Sequence, residues 1–261
     1  MKETMPYEQT FESYLELNKE KLLPNGIVPL KPHSFDASVL LTNDIVPQDL
    51  IMKDKPNGTL FGLGFGGVFG MLDFFEGKKP DQILLFDVTP EPVGIGRICI
   101  NAMREQSEFR RFLNTIVDGR LYPKEMSEGY RILETATRLF YLRSEDPMTW
   151  GLTHIKRHYQ VLHELAKEDK IHIGLADMYS PATVEVINHY KNPDKRHLFY
   201  VTDAPQFGLD SISVIEPALD KMWFVDTETP YNIQKGKGIT MARATYEQLP
   251  VYDEEYRKYL R

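Results

Sequence analysis

Residues 58–87 read GTLFGLGFGGVFGMLDFFEGKKPDQILLFD, and the order of residue types in this stretch decides the fold. Gly62, Gly64, Gly66 and Gly67 interrupt an apolar run. Without a Cβ they let the backbone bend sharply and let a ligand approach it, while N–H groups at the start of a following helix face outward. Residues 68–75 are apolar nearly all round and read as a helix packed on a sheet. Residues 83–86 form a continuous apolar run, as a parallel strand covered on both faces requires. That strand carries Asp87 to the carboxyl edge, where an acid can accept hydrogen bonds from both hydroxyls of a ribose.

Two cofactor classes use a strand, glycine turn, helix and acid-tipped strand. Gly62, Gly64 and Gly67 fit G-x-G-x-x-G, with Asp87 at the downstream distance of roughly 20 residues that a dinucleotide site has. Gly62, Gly64 and Gly66 also fit G-x-G-x-G. This second pattern resembles motif I of the class I S-adenosylmethionine-dependent methyltransferases, in which the acid ending strand 2 holds the ribose. In that family an acid commonly stands two residues before the first glycine; here the position is Leu60, which leaves room for a different adenosine ligand.

The rest of the chain extends the unit in both directions. Residues 7–23 place Phe11, Tyr14, Leu15 and Leu17 among Glu and Lys at near-helical spacing and predict one amphipathic opening helix, ended by Pro24-Asn25-Gly26. A proline-bearing connection over 27–57 completes an N-terminal arm, 1–57. After Asp87, Pro90 and Pro92 are expected to hold off regular helix until about Gly94, with Val88 or Thr89 free to rest on an adenine ring. The next convincing strand comes only at 171–176, far beyond the dozen or so residues a crossover needs. Residues 95–169 therefore read as a helical insertion with helices at 98–117, 125–141 and 150–167, serving as a lid over the cofactor cleft or as an oligomer interface. Residues 58–94 and 170–261 make the Rossmann-like domain.

Beyond the insertion, 171–176 predicts a strand followed by Asp177 and a helix that Ser180 caps and Pro181 starts. The methyltransferase resemblance continues here: an Asp near the end of a later strand holds the adenine amino group and the next residue packs on the ring, which selects Asp177 and Met178. An acid at a helix start, interacting with the helix dipole, is the alternative for Asp177. Residues 197–202 predict a fourth strand ending in TDAPQF, which loosely resembles the [DNS]-P-P-[FYW] motif of amino-methylating enzymes. Ala204 and Gln206 depart from it. Asp203 is the acceptor-positioning, catalytic candidate. Further strands are expected at 222–225 and 239–246, the second after a Lys235-Gly236-Lys237-Gly238 turn.

Composition limits the alternatives. A chain of 261 residues, 42% hydrophobic, can hold one α/β domain with a helical annex. A net charge of −7 argues against nonspecific nucleic-acid or anionic-membrane binding and for a small-molecule substrate. Cys99 is the only cysteine, so no intrachain disulfide and no multi-cysteine metal site can form, and burial suits it better than a nucleophilic role. His154 and His158 stand at i and i+4, but Lys156 and Arg157 lie between them and no third ligand is visible, so packing is preferred to a metal site. The N-terminus lacks a signal-like apolar core and no segment reaches membrane-spanning length, which gives the expectation of a cytoplasmic protein.

The expected fold is therefore a Rossmann-like, mostly parallel sheet flanked by helices. The resemblance implies S-adenosyl-L-methionine as methyl donor, with Gly62, Gly64, Gly66 and Gly67 shaping the pocket, Asp87 at the ribose, and Val88, Asp177 and Met178 at the adenine. An NAD-dependent oxidoreductase and a noncatalytic Rossmann-like scaffold binding a partner remain alternatives.

Overall fold

A computed structural model of the chain describes residues 10–27, 55–75, 79–117, 150–177, 180–201, 222–226 and 240–243. The opening helix is two short pieces, α1 (Phe11–Leu17) and α2 (Lys19–Leu22), where one helix was expected. Thr10 caps α1 by accepting a hydrogen bond from the Ser13 N–H, and Asn18 breaks the run with φ −106°. Then follow β1 (Leu60–Leu63), a 3₁₀ segment η1 (Gly67–Phe75), β2 (Ile83–Asp87), α3 (Pro90–Glu105) and α4 (Phe109–Ile116). After 118–149 come α5 (Trp150–Arg157), α6 (Tyr159–Lys167), β3 (Ile171–Leu175), α7 (Pro181–Tyr190) and β4 (His197–Val201). β5 (Met222–Asp226) and β6 (Thr240–Arg243) complete the described elements.

The six strands form one sheet in the order β3-β2-β1-β4-β5-β6, and every pairing is parallel. The chain moves from β1 to β2 to β3 with its crossovers on one face, then doubles back from β3 to β4 on the other, as right-handed connections require. Side chains sort accordingly. Leu60, Ile83, Leu85, Ile171, Ile173, Leu198 and Tyr200 face η1 and α3 to α6. Phe61, Leu84, Phe86 and Phe199 face α1, α2 and α7. The period-2 pleat thus hides both faces of each central strand, and each buried aliphatic side chain contributes roughly 1.5–3 kcal/mol.

Three helical boundaries differ from the sequence expectation. Helix α3 starts at Pro90, not near Gly94. A helix's first four N–H groups have no partner within it, and here those residues are Thr89, Pro90, Glu91 and Pro92. The Thr89 N–H is taken by Asp87, and the two prolines have none to satisfy, so they favour the start instead of blocking it. The expected helix over 98–117 is divided between α3 and α4 by the extended residues Gln106 and Glu108. The expected helix over 150–167 is likewise divided at His158. The helix expected over 125–141 lies outside the described residues.

Gly62 sets the distance between β1 and η1. A Cβ built there would lie 2.3 Å from Val68 Cγ2 and 3.1 Å from Val68 Cβ, so the valine occupies the space the glycine leaves. At the amino edge of the sheet, His197 Nδ1 accepts from the Thr59 N–H at 2.8 Å while Nε2–H donates to the Asn192 carbonyl at 2.8 Å. Both bonds use the neutral ring, and burial lowers its pKa from 6.5. No described helix is long and apolar enough to cross a membrane.

Two outcomes follow from these contacts. Gly62→Ala should lower stability by roughly 1–3 kcal/mol, and adding Val68→Ala should recover part of that loss in a double-mutant cycle read by urea unfolding. Strict additivity would show that Val68 moves aside freely. For His197, the unfolded state takes up a proton that the folded ring resists, so its contribution is present above pH 6.5 and lost as the pH falls below it. His197→Gln should flatten that part of the stability profile, measured by denaturant midpoints between pH 5 and 8.

Candidate cofactor edge

The carboxyl ends of β1, β2 and β3 lie side by side. Leu63 is in register with Phe86, and Asp87 with Leu175. The ladder runs one step further at each strand: the Gly64 N–H donates to the Phe86 carbonyl and the Ala176 N–H to the Asp87 carbonyl. Gly64 and Asp87 therefore stand side by side on neighbouring strands, about 4.8 Å apart, and Asp177 follows on the next strand, two residues beyond Leu175, the register partner of Asp87. This row adjoins β1 and β4, where the strand order reverses, the place at which open α/β sheets hold ligands.

The four glycines do different things. Gly62 is within β1 and serves packing, as above. Gly64 has φ +69° and a Cβ there would meet nothing within 4 Å among the described residues, so it is the turn glycine, with open space in front of it among those residues. Gly66 and Gly67 are buried, and Gly67 begins η1. Between Gly64 and Gly66, Phe65 folds inward, edge-on to Phe69 at 4.9 Å, and lies against Gly96 of α3. The turn is thereby pinned from inside while its backbone at Gly64 stays open.

Asp87 ends β2 and is half-buried. Oδ1 accepts from the Thr89 N–H at 2.9 Å. Burial is the main influence, with a smaller addition from the charge of Glu91, and together they push the carboxyl up from 3.8 to about 6 against the hydrogen bonds of Thr89 and Val88. Glu91 stands in the first turn of α3, and its Oε2 is out of solvent contact without a hydrogen-bond partner among the described residues. Val88 is half-buried between Asp87 and Thr89.

Asp177 follows β3, held by its backbone: its N–H donates to the Leu22 carbonyl at 2.8 Å and its own carbonyl accepts from the Ser180 N–H at 3.0 Å. Ser180 caps α7 as its position implies, accepting from the Ala182 N–H. Met178 and Asp203 lie outside the described residues. Cys99 is fully buried and its thiol is pushed far up by that burial, consistent with a packing role. His158 pairs with Asp73 at 3.2 Å, which Arg157 also reaches at 2.9 Å, and no group of three metal-ligating side chains occurs among the described residues. Sequence reading missed Glu91 and the capping position of Thr89. The Thr-Pro-Glu order, a cap followed by Pro at the first helical position and an acid in the first turn, was the available signal.

No protein-family model matches the chain, and no curated protein sequence is significantly similar to it. Among solved structures, glucose-6-phosphate 1-dehydrogenase from Mycobacterium avium aligns at 11% identity with a TM-score of 0.33, over 67% of this chain and 30% of that enzyme. The chain thus spans less than a third of that enzyme's length, and a likeness at this level says nothing of function.

A desolvated acid beside a second acid costs stability when ionised. Because the folded-state value lies above the unfolded one, Asp87 favours folding below about pH 3.8 relative to neutral pH, and that advantage is lost as the pH rises through about 6. Asp87→Asn should therefore be more stable than the natural chain by about 1–3 kcal/mol at pH 7.5, with the difference vanishing near pH 4. Thermal unfolding of both proteins across that range measures it; a variant destabilised at every pH would show that the carboxylate is structural.

Proposed function

We propose that the carboxyl edge of β1 to β3 binds the adenosine portion of S-adenosyl-L-methionine and that the chain is a methyltransferase acting on a small-molecule acceptor. The observation that carries this reading is the row Gly64, Asp87, Asp177 on three adjacent strand ends. An open backbone turn, an acid suited to a ribose and an acid suited to an adenine amino group stand in the order in which one adenosine-bearing ligand would meet them.

The local chemistry fits such a ligand. A side chain at Gly64 would project into the open space in front of the turn, where the ligand's non-adenosine end would lie. Asp87, ionised above about pH 6, has lone pairs left over from its Thr89 contact for two ribose hydroxyls. Glu91 adds negative charge beside it, which suits a cationic ligand better than a pyrophosphate. When bound, S-adenosylmethionine supplies an electrophilic methyl group on a sulfonium. The chain's work is then alignment and exclusion of water. Asp203, two residues beyond β4 in sequence and outside the described residues, is the residue proposed to orient the acceptor.

A dinucleotide-dependent oxidoreductase is the second reading. It is favoured by one observation: the all-parallel order β3-β2-β1-β4-β5-β6 is that of paired mononucleotide-binding halves. In that case Asp87 and Glu91 would select a free 2′-hydroxyl over a 2′-phosphate.

Calorimetric titration with S-adenosylhomocysteine, S-adenosylmethionine, NAD and NADP separates the readings. Saturable binding of the first two alone is expected; binding of NAD alone would move the same row of residues to the second reading, and silence toward all four would leave a scaffold. Asp87→Asn should weaken S-adenosylhomocysteine by about 1.5–3 kcal/mol, the worth of hydrogen bonds to a charged group. Affinity for the natural chain should also fall as the pH drops below about 6, where Asp87 takes up a proton.

A further inference from the structure

The N-terminal helices are far from the glycine turn in sequence, yet they reach the same sheet edge. Helix α1 lies on β3: Leu15 fills the space over Gly174, where a Cβ would come within 2.1 Å of Leu15 Cδ1. Phe11 meets Phe86 at 5.6 Å and Tyr190 at 5.4 Å, so it bridges β2 and α7. Glu12 Oε1 is 2.8 Å from His172 Nδ1 on the same face, a hydrogen bond that is an ion pair when the ring is protonated. These contacts fix the direction in which α2 leaves.

At the end of α2 the chain presents two consecutive carbonyls to the turn between β3 and α7. Leu22 accepts from the Asp177 N–H at 2.8 Å, and Lys21 accepts from the Ser180 hydroxyl at 2.6 Å. Leu22 itself is fully buried. Within the turn, the Ser180 N–H and the Thr183 hydroxyl donate to the Asp177 carbonyl. These internal bonds give the turn its shape, and the two carbonyls tie that shape to α2, which α1 docks on the sheet.

We propose that the α1–α2 pair is a positioning clasp for the adenosine edge, in which docking of Phe11, Glu12 and Leu15 on β3 delivers the Lys21 and Leu22 carbonyls that hold Asp177 in place. This rests on the reading of Asp177 as an adenine partner. Glu12, Leu15 and Leu22 are thereby positioning residues, none of which touches the ligand. A preorganised Asp177 spares the ligand the cost of ordering the turn on binding.

The test combines amide hydrogen exchange with ligand titration on the full chain. Glu12→Gln and Leu15→Ala each loosen α1, the first with little effect on packing. Exchange at the Asp177 amide should accelerate by about tenfold or more in both while the amides of β2 keep their protection, because the opening is local. S-adenosylhomocysteine affinity should fall by about tenfold alongside it, as expected when a pre-ordered site must be ordered by the ligand. Unchanged exchange at Asp177 overturns the clasp, and faster exchange with unchanged affinity overturns its positioning role. If the natural chain binds no adenosine ligand, the adenosine reading falls separately, and the positioning role with it, while accelerated exchange still identifies α1–α2 as what holds the turn.

Discussion

A parallel strand buried on both faces has to be covered twice, and the rest of this molecule depends on how that is done. β1 and β2 carry large apolar side chains to both sides, Leu60 and Leu85 toward one layer, Phe61 and Phe86 toward the other. Two helical layers are therefore obligatory. The chain supplies one on the way out from β1 to β3 and the other on the way back to β4, and the strand order reverses between β1 and β4. The fold's need for burial and the meeting of Gly64, Asp87 and Asp177 at one sheet edge have the same cause.

Close contact has a consequence at that edge. η1 sits so near β1 that Gly62 admits no side chain, and Phe65 is turned inward against Phe69. The glycine-rich segment is thus divided between packing at Gly62 and an open turn at Gly64. Burial pushes the Asp87 carboxyl up, and Glu91 beside it has one oxygen out of solvent contact with no hydrogen-bond partner among the described residues. A carboxyl raised in this way opposes folding at neutral pH.

The helices after β2 belong to the sheet's own covering as much as to an insertion. Val93, Ile100 and Met103 of α3 and Leu162 and Leu165 of α6 share one buried cluster with Leu85 and Ile173. Arg104 reaches across to the Ala166 carbonyl and Tyr159 to the Gln106 carbonyl, tying α3 to α6. Segments far apart in sequence thus form one continuous layer, and Cys99 is sealed inside it.

Sequence by itself determined the strand-turn-helix-strand unit, the acid at the tip of β2, the later strands at 171 and 197, and the Ser180 cap. Each depends on neighbours a few residues away, through side-chain period, the conformational freedom of glycine or a local capping bond. The breaks at Gln106 and His158 escaped it, because apolar spacing continues through both. The start of α3 at Pro90 was readable in principle but depended on Asp87 taking the Thr89 N–H. Only the tertiary structure decided that Val68 fills the space at Gly62, that His197 joins Thr59 to Asn192, and that Glu12 meets His172. Residues 160 positions apart, as Glu12 and His172 are, become neighbours only when two layers close on one sheet, and no local pattern in either segment encodes that meeting.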